Sequence, residues 1–456
     1  WGLYSVPAYG NEWYGKRMYD KGAGNSYYEH HVQTYGNPAK FGNKDFAPLF
    51  KAERYDPEEW SDIIAQSGAR YAGFAVVHHD GFLLWDSAVN RWNAGNMGPK
   101  RDLYGELVMA LRAKGLKTIA TFHHIRTFDW YLPSKPETIE LGRREGWDLF
   151  DKRYADLYWN RYVADYDDFI VEWQAKVKEV TDKYKPDLLW FDGGTFQDGK
   201  SVRMVRDILS YYYNQGIAWG KEVEILNKLP SSMRWNFPRE FGVLTFEEGR
   251  DRGGFVDRPW IDDQKISVNS WGYIEGQEYK DPNEIIDGLV DRVARGGGLL
   301  LSLCPKADGT ISDEQKWVLR EIGGWLKQNG DAIYGSRKWK VQVDGRHDKF
   351  RDFNGNHSTW KFENSTAEDI RFTRNGNKLY LFTLEWPTNG KVVSNALGGH
   401  AALGTGGGLK SVKLLGSDDK IGWEQTDDEL IIHTPNAKPN PYAYAFEIEV
   451  KGELIK

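Results

Sequence analysis

Short apolar runs alternate with amphipathic helical patterns over about 300 residues, and this alternation restricts the fold more than any other feature of the chain. Neighbouring parallel strands need a long crossover connection, which is usually a helix. Regular strand–helix alternation therefore predicts an α/β fold with a parallel sheet. The predicted strands cover residues 72–77, 116–122, 187–191, 223–227, 243–246 and 299–303.

The helical patterns carry their own start signals. Asp56 and Asp281 each stand directly before a proline, so each can cap a helix whose first turn holds that proline. Ser312 with Gln315 matches a capping box, in which two side chains satisfy backbone N–H groups of the first turn. The predicted helices cover residues 102–114, 165–184, 200–215, 281–295 and 312–329.

A closed barrel and an open doubly wound sheet both fit this alternation. No Gly-x-Gly-x-x-Gly run follows a predicted strand, which disfavours a dinucleotide-binding sheet. Polar clusters at the ends of several strands are typical of the carboxyl-terminal face of a barrel. We therefore predict a TIM-like (β/α)8 barrel. The clusters are His78-His79-Asp80, His123-His124, Asp192-Gly193-Gly194 and Glu247-Glu248.

The pattern of hydrophobic residues changes after about Trp339, where helical periodicity stops. Short apolar runs at 378–382, 409–415, 430–433 and 442–450 are separated by turn-forming glycine, asparagine and aspartate. We predict a barrel domain over residues 1–338 and a C-terminal antiparallel β-sandwich over residues 339–456.

Composition excludes several classes of protein. The net charge of −6 provides no basic field for nucleic acid or an anionic membrane, and no apolar run approaches the roughly 20 residues that span a bilayer. The single cysteine, Cys304, excludes a disulfide-linked scaffold. Aromatic residues reach 14%, which suits either sugar stacking or a large aromatic core.

Two carboxylate positions are candidates for chemistry. Asp192 ends a buried strand beside two glycines, where it can approach a substrate or simply cap a turn. Glu247 and Glu248 end another strand, and because adjacent strand residues face opposite sides, only one of them is expected to enter the barrel mouth. The alternative is a surface pair that contacts Arg250 and Arg252.

The histidine pairs at 78–79 and 123–124 raise the question of a metal. Adjacent strand residues diverge and no His-Glu-x-x-His spacing is present, so we predict no metal site. A neutral imidazole offers one donor and one acceptor, which suits sugar hydroxyls, while at least one of the four is expected in the core. Glu12 and Trp13 lie in an early aromatic segment, where they can bind a sugar or only pack.

An ordered set of motifs, spread over nearly the whole chain, resembles glycoside hydrolase family 29, the α-L-fucosidases. The N-terminal motifs are Trp-Gly-Leu-Tyr-Ser at 1–5, Asn-Glu-Trp-Tyr at 11–14, His-His-Asp-Gly-Phe at 78–82, Trp-Asp-Ser at 85–87 and Pro-Lys-Arg-Asp at 99–102. The later motifs are Leu-Leu-Trp-Phe-Asp-Gly at 188–193, Ser-Trp-Gly-Tyr at 270–273, Pro-Lys-Ala-Asp-Gly at 305–309 and Leu-Leu-Gly at 414–416.

This resemblance implies a secreted or periplasmic retaining exo-α-L-fucosidase that needs no cofactor. It implies Asp192 as nucleophile and Glu247 as acid/base, with Glu248 as second choice. The expected partner is a fucosylated oligosaccharide or polysaccharide, not nucleic acid or a membrane. The residues implied around the fucose are Glu12, Trp13, His78, His79, His123, Trp190 and Trp271.

Four features depart from the family pattern. The first strand and its histidine would precede Trp1, which we interpret as trimming, since a barrel without that strand exposes an edge. Residues 225–229 lack an arginine that some members carry, Cys304 lies in a segment that often reads Asn-x-Gly-Pro, and His123 stands where serine is frequent.

Two other functions remain open from the sequence. One is a sugar-binding barrel without catalysis. The other is a related glycosidase that acts on a sulfated or galactose-configured sugar, for which Lys228, Arg250, Arg252 and Arg258 could bind an anionic group.

Overall fold

The computed structural model describes residues 1–22, 24, 26–192, 199–228, 241–248, 258–345 and 365–456. Gly193, Gly194, Arg250 and Arg252, which entered the sequence analysis, lie outside the described residues. Within these ranges the chain forms seven parallel strands with flanking helices, followed by eight antiparallel strands.

The parallel strands form one sheet in which the order along the chain equals the order in space. Each strand pairs in parallel with the next, which confirms the predicted α/β class. The strands are β1 (Tyr71–Val77), β2 (Lys117–Phe122), β3 (Leu188–Phe191), β4 (Glu224–Lys228), β5 (Val243–Glu247), β6 (Trp260–Lys265) and β7 (Gly297–Ser302).

Strand β6 is absent from the sequence prediction because it is polar. Five of its six residues are buried, yet its sequence reads Trp-Ile-Asp-Asp-Gln-Lys. Its charged side chains find partners inside the protein: Asp262 accepts from Arg292 at 2.8 Å, and Lys265 Nζ lies 2.5 Å from Glu248 Oε1. Paired charges can be buried, so apolar periodicity does not reveal this strand.

The expected eight-stranded barrel is present as a seven-stranded half-barrel. In the part of the chain that the structure describes, β1 and β7 are each paired on one side only. The two edges nevertheless approach each other, since the Tyr71 hydroxyl on β1 donates to the Leu299 carbonyl on β7 at 3.0 Å. A side chain thus spans part of the gap between the edges.

Helices precede and connect these strands. The Asp56 carboxylate accepts from the Glu58 amide at 2.9 Å, and Asp281 accepts from Asn283 at 2.8 Å, so both predicted N-caps are confirmed. The helices are α1 (Tyr14–Arg17), α2 (Tyr27–Thr34), α3 (Pro57–Gln66), α4 (Leu103–Ala113), α5 (Pro136–Glu145), α6 (Ala155–Tyr158), α7 (Tyr166–Tyr184), α8 (Gly199–Trp219), α9 (Pro282–Ala294) and α10 (Asp313–Asn329).

The predicted capping box at α10 is only half correct. The Ser312 hydroxyl accepts from the Gln315 amide at 3.4 Å, as expected. The Gln315 side-chain oxygen instead accepts from the Cys304 backbone amide at 2.9 Å. This glutamine therefore connects the helix start to the segment that follows β7.

The C-terminal part contains two antiparallel sheets, as the short apolar runs separated by turns predict. The sheet orders are β12-β15-β10-β9-β8 and β11-β14-β13, and buried residues of both sheets share one hydrophobic cluster. The strands are β8 (Arg337–Gly345), β9 (Asp369–Asn375), β10 (Lys378–Thr383), β11 (Lys391–Ser394), β12 (Leu409–Leu414), β13 (Gly422–Gln425), β14 (Leu430–His433) and β15 (Tyr444–Val450).

A buried ion cluster joins this β region to α9. Asp291 contacts Arg371 of β9 and, at 3.0 Å, Arg295. The Asp291 and Arg371 side chains have no solvent exposure, so each charge depends on the others for compensation. The Trp325 indole of α10 adds a hydrogen bond to the Ala443 carbonyl at 2.7 Å.

Within the described ranges, no helix has the length and apolar character that a membrane crossing requires.

Removing the charge at the centre of the buried cluster should destabilise the chain strongly. Asp291→Asn leaves two buried guanidinium groups short of a counter-charge, so we expect the free energy of unfolding to fall by about 3–5 kcal/mol. Urea unfolding followed by tryptophan fluorescence measures this change. The control Glu140→Gln breaks an exposed pair with Arg143 and should cost less than about 1 kcal/mol. Equal effects of the two variants would contradict the prediction.

Candidate active site

A cavity of about 800 Å³ runs from the carboxyl ends of the parallel strands into the interior of the half-barrel. Its inner part is apolar and reaches the gap between β1 and β7, where Leu299 and Leu301 line it together with Ile322 and Leu326 of α10. Its outer part is polar and charged. Of the sequence-predicted site residues, those that line the cavity are Glu12, Trp13, His78, His79, His123, Trp190, Asp192, Glu247 and Trp271.

The charged part of the cavity is organised around the ammonium group of Lys228. Its Nζ lies 2.8 Å from Asp192 Oδ1, 2.9 Å from Glu247 Oε2 and 3.8 Å from Asp263 Oδ2. The lysine ends β4. Asp192 directly follows β3, Glu247 ends β5, and Asp263 lies within β6. Parallel strands bring their carboxyl ends to the same edge of a sheet, which explains why residues distant in sequence meet here.

The two contacts of Lys228 limit the distance between the candidate carboxylates. Asp192 Oδ1 and Glu247 Oε2 both touch one nitrogen atom, so these two oxygens can be no more than about 5.7 Å apart. Retaining glycosidases place their two carboxyl groups about 5–5.5 Å apart, whereas inverting enzymes need about 6.5–9.5 Å. The separation therefore suits direct attack by one carboxylate.

Lys228 also shifts the pKa values of the carboxyl groups around it. Burial would raise the pKa of Asp192, but the ammonium group of Lys228, together with His123, His79 and Arg126, outweighs burial and holds that pKa well below its ordinary value. Burial raises the pKa of Asp263 well above its ordinary value, and the neighbouring carboxylates of Glu247, Asp262 and Asp192 add to this effect. The pKa values of the two aspartates thus shift in opposite directions, and Asp192 is an anion at neutral pH.

Glu248 does not line the cavity. Its backbone has a left-handed φ of 46°, and its buried carboxylate lies 2.5 Å from Lys265 Nζ and 3.9 Å from Lys280 Nζ. The left-handed region is unfavourable for a residue with a Cβ atom, so the turn after β5 is held by these contacts. Glu247 faces Lys228 instead, and the two glutamates diverge as adjacent residues at a strand end.

Three of the four paired histidines line the cavity as neutral rings. His79 Nδ1 lies 2.7 Å from the His123 carbonyl, which can only accept, so this nitrogen carries the proton and Nε2 is free to accept. Nε2 lies 3.7 Å from Asp192 Oδ2. Burial lowers the pKa of His79 to about 4 and that of His123 to about 3.

Buried polar atoms at the cavity lack partners within the described structure. His78 Nδ1, His123 Nδ1 and Trp190 Nε1 have no hydrogen bond among the described residues. An unpaired buried polar atom costs free energy, so these atoms are suited to a ligand that brings hydroxyl groups. The ring nitrogens of His124 also lack partners among the described residues, but this ring packs in the core, 6.0 Å from Trp173 between centroids, and does not line the cavity.

Aromatic rings form the walls of the polar part. The Trp13 ring contacts His79 at 5.7 Å between centroids, and Trp190 contacts His123 at 4.9 Å. Lys228 Nζ lies 5.0 Å from the Trp190 ring centroid, within the range of a cation–π contact. Apolar ring faces next to hydrogen-bonding groups are the combination that a sugar ring requires.

Glu12 connects the early aromatic segment to the loop after β6. Its Oε2 accepts from the Trp271 amide at 3.2 Å and from the Ser270 hydroxyl at 3.3 Å. Burial raises the pKa of Glu12, although these hydrogen bonds oppose the rise. The glutamate thereby helps to hold Trp271 at the cavity wall.

Asp263, Lys228 and Arg126 line the cavity, but the sequence does not reveal them as parts of a charged site. Asp263 was missed because β6 was not predicted. Lys228 was considered only as a contact for an anionic substrate, whereas its nearest partners are carboxylates of the protein. A lysine at the end of an otherwise apolar strand was the available signal for the second residue. Among the described residues, no group of three or more histidine, cysteine or acidic side chains is arranged to hold a metal ion.

Comparison with known proteins identifies close relatives of the whole chain. A family model described as Alpha-L-fucosidase matches residues 1–331, and one described as Alpha-L-fucosidase C-terminal domain matches residues 363–449. The tissue alpha-L-fucosidase of Rattus norvegicus is 29% identical over 450 residues, covering 97% of this chain and 84% of the relative. The plasma alpha-L-fucosidase of Homo sapiens is 29% identical, covering 93% and 80%.

Solved structures agree with these matches. The alpha-fucosidase of Thermotoga maritima in complex with fucose is 28% identical with a TM-score of 0.75, and the match covers 98% of this chain and 93% of that chain. A GH29 alpha-L-fucosidase of Bacteroides thetaiotaomicron, trapped as a covalent intermediate, has the same fold at 20% identity, a TM-score of 0.68 and coverage of 99% and 93%.

Replacing the central lysine should expose the repulsion between the buried carboxyl groups. In Lys228→Met we expect the free energy of unfolding at pH 7 to fall by about 3–5 kcal/mol, because buried anions lose their counter-charge. Asp192 has a depressed pKa in the folded wild type, so the stabilisation by Lys228 is full above the pKa of the unfolded chain and is lost as pH falls. The difference between wild type and variant should therefore shrink on acidification.

Thermal unfolding at neutral and acidic pH measures this difference. Lys316→Met, which removes an exposed pair with Glu59, is the control and should change stability by less than about 1 kcal/mol at either pH. A difference for Lys228→Met that grows on acidification would refute the proposed charge arrangement.

Proposed function

The chain belongs to the alpha-L-fucosidase family, and from this premise we propose that it is a retaining exo-α-L-fucosidase. It hydrolyses terminal α-L-fucosyl residues of oligosaccharides or glycoconjugates by double displacement. The observation that carries this proposal is the pair of carboxylates, Asp192 and Glu247, held on one ammonium group within about 5.7 Å of each other.

Asp192 is proposed as the nucleophile. Its depressed pKa keeps it ionised, and an anion in a buried cavity can attack the anomeric carbon without first losing a proton. As the carboxylate oxygen bonds to C1, the bond to the leaving oxygen breaks, and that oxygen takes a proton from Glu247. The product of this step is a covalent fucosyl-enzyme in which the Asp192 charge has become an ester.

Glu247 is proposed as the acid/base, and Glu248 as the weaker candidate. In the second step the Glu247 carboxylate takes a proton from water, the water oxygen bonds to C1, and Asp192 leaves as a carboxylate. Its contact with Lys228 and its place in the cavity wall support Glu247. The contact of Glu248 with Lys265 supports a structural role for that residue.

The remaining cavity residues are proposed to bind fucose. The neutral His78 and His123 can exchange hydrogen bonds with the sugar hydroxyls, since each ring has both a donor and an acceptor nitrogen. His79 can accept through Nε2, because its Nδ1 already donates to the His123 carbonyl. Fucose is a 6-deoxy sugar, so its methyl group needs an apolar wall, which Trp13 or Trp271 can provide.

A sulfated or galactose-configured substrate is less well supported. Lys228, the residue first considered for an anionic group, is already paired with carboxylates. Arg250 and Arg252 lie outside the described residues, and Arg258 donates to the Gly242 carbonyl. A protein without catalysis would not need a depressed carboxyl pKa in its sugar cavity.

We extend the proposal to architecture and location. A domain boundary near residue 338 is supported by the end of α10 at Asn329 and the start of β8 at Arg337. The shared hydrophobic cluster supports a β-sandwich, and the near approach of β1 and β7 supports closure into a (β/α)8 barrel by an eighth strand. A secreted or periplasmic location is supported by the plasma enzyme among the relatives.

The nucleophile can be tested by chemical rescue. Asp192→Gly should lower kcat on an aryl α-L-fucoside by about 10³-fold or more, because the covalent route is lost. Added azide should enter the vacated space and restore turnover, with β-fucosyl azide as product identified by nuclear magnetic resonance. Asp418→Gly, at an exposed position of the C-terminal region, serves as the control and should show no azide dependence. An active wild type whose Asp192→Gly variant retains its rate would contradict the assignment.

The methyl-binding wall can be tested by truncating each tryptophan. Trp13→Ala and Trp271→Ala should raise KM about tenfold or more while kcat changes less, because packing with the sugar is lost before chemistry is affected. Steady-state kinetics on the aryl fucoside provides both constants. An unchanged KM for both variants would rule out this wall.

A further inference from the structure

Tyr4 lines the cavity, but neither the double displacement nor the proposed sugar contacts use it. It belongs to the short helical turn Leu3–Ser5 near the start of the described chain, and it is only 8% exposed. The cavity wall that it shares includes Glu12 and His78. Its ring meets the His78 ring edge to face, with centroids 5.1 Å apart. Tyr4 thus lies among residues proposed to bind fucose.

Two glycines leave the space that the Tyr4 ring occupies. A Cβ atom on Gly272 would lie 2.5 Å from the ring, and a Cβ atom on Gly2 would lie 2.9 Å from it. Carbon atoms in contact prefer about 3.5–4.0 Å, so a side chain at either position would displace the ring. Gly272 directly follows Trp271, and the tyrosine therefore packs against the same segment as the proposed methyl-binding wall.

The hydroxyl of Tyr4 differs from those of buried tyrosines in the core. Tyr104 of α4, for example, donates to the Ile119 carbonyl at 3.1 Å. The Tyr4 hydroxyl forms no hydrogen bond with any residue that the structure describes. It is also not enclosed by protein atoms, as His78 Nδ1 and Trp190 Nε1 are, so it keeps a surface that faces the cavity. A polar group that gives up water in a closing site needs a partner, which a ligand can supply.

The phenol of Tyr4 keeps its proton at neutral pH. Burial raises its pKa well above the ordinary value, and the negative charges of Asp80 and Glu12 add to this effect. The hydroxyl can therefore donate one hydrogen bond and accept another. Acceptors already lie beside it in the cavity wall, since Glu12 is a carboxyl group and the neutral His78 ring has an acceptor nitrogen.

We propose that Tyr4 is a further substrate-binding residue, whose hydroxyl donates a hydrogen bond to one ring hydroxyl of the fucosyl group. This inference rests on the proposed fucosidase function. A sugar hydroxyl that accepts from Tyr4 can at the same time donate to Glu12 or His78, so donors and acceptors alternate along the wall. Tyr4 then selects for that hydroxyl, because an analogue without it leaves the phenol unpaired in a closed site.

The proposal is tested with Tyr4→Phe, which keeps the ring contacts with Gly2, Gly272 and His78 and removes only the hydroxyl. We compare kcat/KM of wild type and variant on an aryl α-L-fucoside and on its 2-deoxy, 3-deoxy and 4-deoxy analogues. The variant should lose about tenfold on the parent fucoside and on two of the analogues, as expected for one hydrogen bond. On the remaining analogue the loss should be less than about twofold, because the hydroxyl that Tyr4 binds is already missing.

The matched control is Tyr104→Phe, which removes a buried hydroxyl outside the cavity wall. It should lower the melting temperature, because the Ile119 carbonyl loses its donor, and it should change kcat/KM less than about twofold on all four substrates. A purely structural role of the Tyr4 hydroxyl would give the same uniform pattern. Equal losses of Tyr4→Phe on all four substrates, or no loss on the parent, would therefore overturn the proposal, as would a variant that does not fold.

Calorimetric titration with free L-fucose separates this inference from the proposed function. A wild type that binds fucose but cleaves none of the fucosides would overturn the proposed function alone. The affinity of Tyr4→Phe for fucose should then still be about tenfold weaker than that of wild type, and an unchanged affinity would overturn the role of Tyr4. A wild type that neither cleaves the fucosides nor binds fucose would overturn both.

Discussion

The contact between one ammonium group and several buried carboxyl groups is the interaction on which the site depends. Lys228 lies on β4, and the sheet order places this strand directly between β3, which leads to Asp192, and β5, which ends in Glu247. The cation therefore lies between two acids because its strand lies between their strands. Without the cation, acids from three strands would repel one another in a volume from which most water is excluded.

Adjacent residues at the strand ends divide between the cavity and the supporting structure. The outer acid of two pairs is compensated by a cation, Asp262 by Arg292 and Glu248 by Lys265, and His124 packs on Trp173. The inner member faces the cavity. Asp262 and Asp263 both lie within β6, where alternation along the strand explains this division. The inner members are Asp263, Glu247 and His123.

Sequence patterns were sufficient to predict the positions of the strands and helices that depend on apolar burial. Six of the seven parallel strands lie within a few residues of their predicted positions, because their burial produces continuous apolar runs. Strand β6 was missed because its buried residues are polar, and the same failure concealed Asp263. The choice between Glu247 and Glu248 could not be made from sequence either. It depends on a left-handed turn at Glu248 and on lysines that are distant along the chain.

The abundance of aromatic residues has two origins that the sequence could not separate. Most of the tryptophans and tyrosines with little exposure belong to the large hydrophobic cluster of the half-barrel, where Trp1 packs against Phe50 with ring centroids 4.9 Å apart. Trp13, Trp190 and Trp271 line the polar part of the cavity. A high aromatic content therefore indicates a large aromatic core at least as much as it indicates a sugar-binding site. The chemistry instead depends on the charges around each carboxyl group: the pKa of Asp192, 2.8 Å from the Lys228 ammonium nitrogen, is lowered, whereas burial raises the pKa of Asp263, which lies 3.8 Å from it. Two identical side chains thus acquire pKa shifts of opposite direction from their burial and their charged neighbours.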